Sequence, residues 1–314
     1  MARLVGLTGA TGFIGKHLTK HLSGQGWRVR ALTRRPLETA NQPGVSEWIA
    51  GSLDNDGALE RLVDGADAIV HCAGLIKARR RRDFERVNAI GTERLARITA
   101  SSPSRPRFVL LSSLAAREPR LSAYAATKRQ AEELAQACDF PVPVTILRPP
   151  AVYGPGDTET LAIYRAVKRG IAPLPGGDGG RLSLIHVADL AQAVSAILEA
   201  PSTAGRMFEV DDGRQHGYRM REMLEIVARI LGVSPLFIPV PAAALKIVGA
   251  LNLAAATLAR YDPMLTPGKA REICHRDWVC RGGDLTRLSP WRPGMEAGQG
   301  LKETLSWYRK QNLL

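Results

Sequence analysis

The sequence predicts an α/β fold, a doubly wound parallel sheet with a smaller, mostly helical C-terminal lobe. Two observations point there. Over residues 1–150 short β-branched runs alternate with helical patterns, as parallel strands joined by crossover helices require. The first run leads straight into a glycine-rich turn, Gly9-Ala10-Thr11-Gly12-Phe13-Ile14-Gly15, and then into a helical pattern.

Taken in order, Arg3–Leu7 reads as the first strand and Gly12–Ser23 as the helix after it. Trp27–Leu32, Ser46–Ala50 and Ala68–Cys72 read as the next three strands. Phe84–Ala100 reads as a helix, Phe108–Leu111 as the fifth strand and Ser122–Cys138 as another helix. Val144–Leu147 is the sixth strand, stopped by Pro149-Pro150. Beyond it the pattern changes. Residues 154–180 are rich in Gly and Pro around one helix, Thr160–Arg169, as loops over a site are. Leu182–His186 and Met207–Val210 read as short strands flanking the helix Val187–Glu199, and from Tyr218 the chain is mostly helical. The expected division is a first domain of 1–150, completed by about 182–210, and a second lobe of 151–181 and 211–314.

Hydrophobic residues at 45% and charged residues at 23% fit a globular protein and exclude wholesale disorder. A net charge of +13 raises a nucleic-acid partner, because clustered Lys and Arg release phosphate counterions. The basic residues are scattered, however, apart from Arg79-Arg80-Arg81-Arg82, and aromatics for base stacking make up only 5%. A solvated basic surface with local anion contacts, and no nucleic acid, is therefore expected. The arginine run follows the fourth strand, near where a site should open, and reads either as a solvated loop or as an attractor of an anionic group. Anionic lipid head groups are a further partner for a basic surface, so peripheral membrane contact stays open.

Cys72, Cys138, Cys274 and Cys280 fit neither zinc-ligand spacing nor a disulfide framework; reduced thiols, no metal and a cytoplasmic setting are expected. A strand begins within three residues of Met1, which leaves no room for a cleaved signal peptide. The apolar segment 240–259 is long enough to be confused with a membrane span, but Lys246, Asn252 and its many alanines favour a buried or surface-lying helix. Whether it lines a pocket, packs in the core or touches a membrane stays open at this point.

Three motifs carry chemistry. Gly9, Gly12 and Gly15 form G-x-x-G-x-x-G between strand and helix. Glycine there permits a tight turn, close backbone approach to a pyrophosphate, and tight helix–sheet packing, and the helix N-terminus adds free N–H donors. Thr11, Phe13 and Ile14 belong to the same turn, a dinucleotide-binding element. The second strand ends in Thr33-Arg34-Arg35 with no acid where an NAD site places one for the ribose hydroxyl. Arg34, with Arg35 beside it, offers a charge-assisted fork to a 2′-phosphate, so NADP(H) is favoured over NAD(H); the nearest acid, Glu38, lies past Pro36. Tyr124 and Lys128 stand four residues apart on a helix, where phenol and ammonium share a face. A nearby cation favours the phenolate, which suits tyrosine to give or take an alcohol proton. The pair is informative because Ser112-Ser113 follows the fifth strand immediately, where a hydroxyl faces the ligand crevice of such a sheet.

Together these residues resemble the short-chain dehydrogenase/reductase superfamily in its extended branch, which includes epimerases and dehydratases, and the resemblance covers essentially the whole chain. Further matches are His71-Cys72-Ala73-Gly74, Val87-Asn88, Leu147-Arg148-Pro149 through Val152-Tyr153-Gly154-Pro155-Gly156, and His186-Val187-Ala188-Asp189. The resemblance implies a Rossmann domain, with Tyr124 as general acid/base, Lys128 binding the ribose and tuning the tyrosine, and Ser113 holding the reacting oxygen. It implies that Leu53, Ala73 and Gly74 line the cofactor and that Pro149 to Val152 border the nicotinamide. Asn88 is expected to shape its helix or hold water. His186 and Asp189 are expected to orient the second lobe, and no G-x-S-x-G elbow supports a hydrolase. A homodimer through two helices per subunit, one carrying Tyr124, is also implied.

Within that superfamily three departures argue against the sugar-nucleotide epimerases. Ala151 replaces their usual Asn, Leu182 stands where they often carry Arg with Arg181 one residue out of phase, and only ten residues separate Ser113 from Tyr124. The run L-R-P-x-x-V-Y-G-P-G-D looks closer to 3β-hydroxysteroid dehydrogenase-like and dihydroflavonol reductase-like enzymes. The expected activity is hydride transfer between NADP(H) and an alcohol or ketone on an apolar or modestly polar small molecule. A nucleotide-sugar epimerase or dehydratase, and a non-catalytic NADPH-binding accessory subunit of a respiratory complex, remain as alternatives.

Overall fold

The computed structural model of the chain describes residues 2–35, 42–140, 143–282 and 284–314. Pro36 and Glu38 fall outside them. The first half runs β1 (Leu4–Thr8), α1 (Phe13–Gly24), β2 (Arg28–Thr33), β3 (Glu47–Ala50), α2 (Asp56–Val63), β4 (Ala68–His71), α3 (Arg81–Phe84), α4 (Gly91–Ala100), β5 (Arg107–Leu111), α5 (Ala123–Gln136) and β6 (Thr145–Arg148). The second runs β7 (Ala151–Tyr153), α6 (Leu161–Lys168), β8 (Ile171–Pro175), β9 (Arg181–Leu182), β10 (Leu184–His186), α7 (Val187–Glu199), β11 (Met207–Glu209), β12 (Tyr218–Arg219), α8 (Met220–Leu231), β13 (Leu236–Val240), α9 (Ala242–Ala259), α10 (Pro267–Ile273), β14 (Asp277–Trp278), α11 (Leu285–Leu288) and α12 (Ala297–Lys310).

Seven strands form one parallel sheet in the order β11-β6-β5-β4-β1-β2-β3. All five residues of β1 are buried, as expected of a strand covered on both faces. One face packs on α1 and α7 through Leu18, Leu22, Leu190 and Val194; the other packs on α2, α4 and α5 through Leu59, Leu62, Leu95 and Ala135. The strand order reverses between β1 and β4, so the ligand crevice of a doubly wound sheet opens beyond Thr8 and His71. A third core, with Tyr164, Leu224, Leu301 and Tyr308, holds the C-terminal lobe.

Several elements differ from expectation. The helix α2 has no strong periodic signal at eight residues, yet Asn55 caps it by accepting from the Ala58 N–H at 2.9 Å. The helix predicted over Phe84–Ala100 starts at Arg81 and contains a π-helical turn, Glu85–Ile90. The strand predicted over Leu182–His186 divides at Ser183: β9 pairs with β12 and β14, whereas β10 pairs with β7. The lobe beyond Tyr218 is less purely helical than expected, because Pro239 bars a helix and β13 pairs in parallel with β8 over five residues. The apolar segment forms the helix α9, in which only Gly249 and Ala256 are buried, so it is not a core helix.

Candidate active site

The glycine turn is fixed by close backbone contacts. Gly9 has φ +76°, and a Cβ there would meet the Ala73 nitrogen at 2.7 Å; one on Gly15 would meet the Gly9 carbonyl oxygen at 2.0 Å. Gly12 is different: it is exposed, precedes α1, and a Cβ would meet nothing of the protein closer than 3.3 Å. Its openness, together with a first helical turn free of acidic residues, fits a backbone surface kept clear for a phosphate. Thr11 is half-buried, Phe13 lies against Gly156, and Ile14 packs on the core.

A chain of hydrogen bonds ties this turn to the neighbouring loop. The Ala73 N–H donates to Thr8 Oγ1 (3.1 Å), which lies 2.6 Å from His71 Nδ1. On the other side of the ring, Nε2 lies 2.9 Å from Thr92 Oγ1, whose proton goes to the Asn88 carbonyl. Thr92 can then only accept, so the His71 proton sits on Nε2 and Thr8 donates to Nδ1. Burial keeps the imidazole neutral, with its pKa lowered to about 3. Asn88, on the π-helical turn, clamps Leu75 by both backbone groups and reaches Thr127 on α5. Rather than shaping its own helix or holding water, it holds the loop that carries Gly74.

The Tyr124 helix begins at Ser122, whose oxygen accepts from the Ala125 N–H at 2.9 Å. Lys128 is buried and its Nζ donates to the Leu111 carbonyl at the end of β5 (2.8 Å). A Cβ on Gly74 would lie 4.0 Å from that nitrogen, which puts the ammonium at the crevice wall. Burial lowers the Lys128 pKa to about 8, so it stays charged at neutral pH. Tyr124 moves the opposite way from the phenolate expectation. Burial raises it to about 12, Ser113 draws it partly back, and the Glu272 carboxylate pushes it further up. Burial is the main cause, and the acid from α10 that faces the phenol adds to it.

Ser112 and Ser113 have separate tasks. Ser112 is buried and donates to Glu132, which is bound by Arg148 Nε at 2.8 Å. Ser113 is half-buried beside Tyr124, and the bond from Leu114 N–H to the Pro149 carbonyl (2.8 Å) brings it alongside Pro149. Val152 sits on β7 paired with Ile185 and packs towards the core. Leu53 is turned inward, where a Cβ on Gly91 would meet its Cδ1 at 2.8 Å. Arg34 and Arg35 project from the end of β2, exposed, and among the described residues neither has an ion-pair partner. His186 caps α7, and Asp189 accepts from the Met295 N–H at 2.9 Å, binding the C-terminal segment as expected.

Two functional residues escape sequence reasoning. Glu272 is buried, accepts from Ser122 at the start of the Tyr124 helix, and pairs with Lys269 at 2.9 Å. Lys269 Nζ in turn stands 5.9 Å from the centre of the Tyr124 ring. Both line a small cavity beside Tyr124, with Ile76, Phe84, Pro263 and Met264 as its apolar wall. A wider surface groove between α2 and α4, lined by Asp56, Glu60, Arg94 and Arg97, contains none of the predicted site residues.

A glycine turn at the sheet's reversal point, with Ser, Tyr and Lys converging beside it, defines an extended short-chain dehydrogenase/reductase. The chain belongs to the NAD dependent epimerase/dehydratase family, whose sequence profile matches residues 5–210. It is similar to a ceramide reductase of Caulobacter vibrioides, 38% identical over 98% of this chain and 94% of the relative. It is also similar to a UDP-glucose 4-epimerase of Vibrio cholerae, 26% identical over 99% of this chain and 97% of that protein. Among solved structures, MoeE5 in complex with UDP-glucuronic acid and NAD matches with a TM-score of 0.75 at 21% identity, covering 98% of this chain and 99% of that one. At that identity the likeness establishes the fold. The chain is thus an oxidoreductase of an NAD(P)-dependent enzyme family.

Proposed function

We propose that the enzyme uses NADP(H) to interconvert a ketone and an alcohol on an apolar, lipid-like substrate, with a ceramide-type lipid as the first candidate. The observation that carries this reading is the small cavity beside Tyr124, where Ile76, Phe84, Pro263 and Met264 form an apolar wall alongside the polar Lys77, Thr266, Lys269 and Glu272. The relative named as a ceramide reductase supports it over nearly the whole chain. A reductase of this class acts on a carbonyl, so a ceramide-type substrate carries a ketone in place of one hydroxyl.

The turn from Gly9 to Gly15 fits a pyrophosphate, Arg34 and Arg35 fit a 2′-phosphate, and Lys128 with Gly74 fits the ribose side of the crevice. When bound, the nicotinamide supplies the hydride that reduces the carbonyl carbon. Tyr124, held protonated by a pKa near 12, gives its proton to the carbonyl oxygen as that oxygen gains charge. The Ser113 hydroxyl donates a second hydrogen bond to the same oxygen. Lys128, charged below about pH 8, stabilises the phenolate left behind. Asn88 and His71 hold the loop that carries Gly74 and the end of β1 that leads into the glycine turn.

The test is turnover of a ketone-bearing ceramide analogue, followed by loss of reduced-nicotinamide absorbance and by mass spectrometry of the alcohol. NADPH should be consumed one for one with alcohol formed. Tyr124→Phe should lose about a thousandfold in rate with cofactor affinity nearly unchanged. Arg34→Ala should weaken NADPH by about tenfold and NADH hardly at all. Interconversion of UDP-hexoses with no net NADPH oxidation would overturn the proposal.

A further inference from the structure

The helix α9 is apolar on nearly all sides yet lies on the surface. Leu258 is 85% exposed, Leu251 66% and Ile247 62%, whereas ordinary surface helices turn a polar face outward. Its contact with the rest of the protein runs along one side, on α10 and the turn before it: a Cβ on Gly249 would meet the backbone of Thr266 at 2.7 Å, and the Asn252 amide donates to the Leu265 carbonyl at 2.9 Å. The apolar surface continues into the strand before it. Leu236 is 69% exposed and is in register with Ile171 of β8, also exposed, and Ile238 follows on the same face. At the other end it continues through Tyr261 and Met264, both exposed, and Met264 forms part of the cavity wall beside Tyr124. The apolar face therefore leads, past Arg260 and Asp262, to Met264 at the cavity beside Tyr124.

Its borders are basic. Lys246 and Arg260 are exposed on and just after α9, and Arg169 is exposed beside the Ile171–Leu236 pair. Arg80, in the loop whose Arg79 N–H donates to Asp262, and Arg82, at the start of α3, are exposed, and among the described residues neither has an ion-pair partner. Arg81 pairs with Glu85. Asp262 is the acidic exception near this rim.

We propose that α9 and the exposed face of β13 dock on an anionic lipid bilayer, with α9 lying in the plane of the interface and the cavity mouth facing the lipid. The proposal deepens the reading of a lipid-like substrate and rests on it for its purpose, though not for its geometry. The helix, at about 27 Å, approaches the thickness of a bilayer core. Spanning is nonetheless ruled out by its two ends, because both belong to the same body. The Val240 carbonyl just before it accepts from Gly176 at 2.9 Å, and the chain after it doubles back to place Thr266 against Gly249. An apolar surface with a basic rim matches hydrocarbon beneath anionic head groups. It matches a second copy of this chain poorly, since two such rims would face one another across a symmetric interface.

The test uses the full chain carrying Tyr124→Phe, so that binding is read without turnover. It should co-float with vesicles containing phosphatidylglycerol and much less with phosphatidylcholine vesicles, and raised salt should weaken the association. Leu251→Glu with Leu258→Glu should reduce the partition coefficient by at least about tenfold. Placed in the otherwise native enzyme, the same pair should leave turnover of a short, water-soluble ketone within about twofold, which also certifies folding. A chain that stays unbound to anionic vesicles overturns the docking proposal. So does a dimer in light scattering that the pair converts to monomer, which assigns the face to a second copy. Failure of the substrate reading is a separate result: vesicle binding intact, with no reduction of lipid ketones.

Discussion

His71 and Tyr124 are both held neutral at pH 7 by burial, and the consequences differ because one is a strut and the other is the proton donor we propose. His71 bridges Thr8 and Thr92 with a folded pKa of about 3 against an ordinary value of 6.5. The unfolded chain therefore takes up a proton between those values that the folded chain refuses, so stability falls as pH drops through that window. The loss reaches at most about 5 kcal/mol. Urea unfolding at pH 7 and pH 4 should show wild type losing more stability than His71→Asn; equal losses would remove His71 from the account. For Tyr124 the proton is already in place for donation, and the charge that limits the reaction is that of Lys128. Carbonyl reduction should hold steady up to about pH 8 and decline above it, as the ammonium is lost. Lys128→Arg, if it retains activity, should move that decline upward by more than one pH unit, since guanidinium keeps its charge. A decline unmoved by the substitution would assign it to another group.

The glycine turn separates a packing role from a binding role between two positions three residues apart. At Gly15 a methyl group would collide with the Gly9 carbonyl at 2.0 Å, so Gly15→Ala should displace α1 from β1 and lower stability by about 2 kcal/mol or more, along with cofactor binding. At Gly12 the nearest protein atom is 3.3 Å from the added carbon, so Gly12→Ala should unfold near the wild-type temperature and still bind NADPH at least about tenfold more weakly. Calorimetry of both variants, with and without NADPH, distinguishes the two. This turn, the Tyr124 helix and the strand ending at Ser113 were legible in the sequence because each is a local pattern. The strand β13 was hidden inside an apolar stretch that reads as helix until its partner, β8, is known to lie some 60 residues earlier. Glu272 and Lys269 were not legible for the same reason: Ser122 and Glu272 are 150 residues apart, and no spacing rule connects them. The upward shift of Tyr124 comes mainly from its burial, with that missing acid adding to it. The exposure of α9 was equally out of reach, since composition reports how apolar a helix is and not what covers it.

At the scale of the whole molecule, the C-terminal lobe is held against the segment that follows β5 and carries Ser113. Arg117, four residues beyond that serine, makes the connection: its guanidinium donates to the Val279 carbonyl at 2.8 Å and to the Asp277 carbonyl at 2.5 Å. Its positive charge also lies 3.7 Å from Glu209 on the edge strand β11, whose carboxylate accepts from the Arg281 N–H at 2.7 Å. The segment so anchored contains Trp278, and the Trp278 indole donates to the Glu272 carbonyl at 2.8 Å. Glu272 in turn binds Ser122 at the start of the Tyr124 helix and faces the phenol. Arg117→Ala should therefore release β14, loosen Glu272 and Lys269, and raise KM for the carbonyl substrate several-fold. The dinucleotide site on the sheet's other flank should keep its NADPH affinity within about twofold, because no contact in this chain reaches the glycine turn. Two charge-assisted bonds lost from a partly buried site cost about 3 kcal/mol, a fall of several degrees in melting temperature for a chain of this size. Arg117→Lys should recover part of the stability but little of KM, since one ammonium cannot serve both carbonyls in the same fork. An unchanged KM in Arg117→Ala, with the expected fall in melting temperature, would mean that the lobe is positioned by other contacts and that Arg117 only stabilises it.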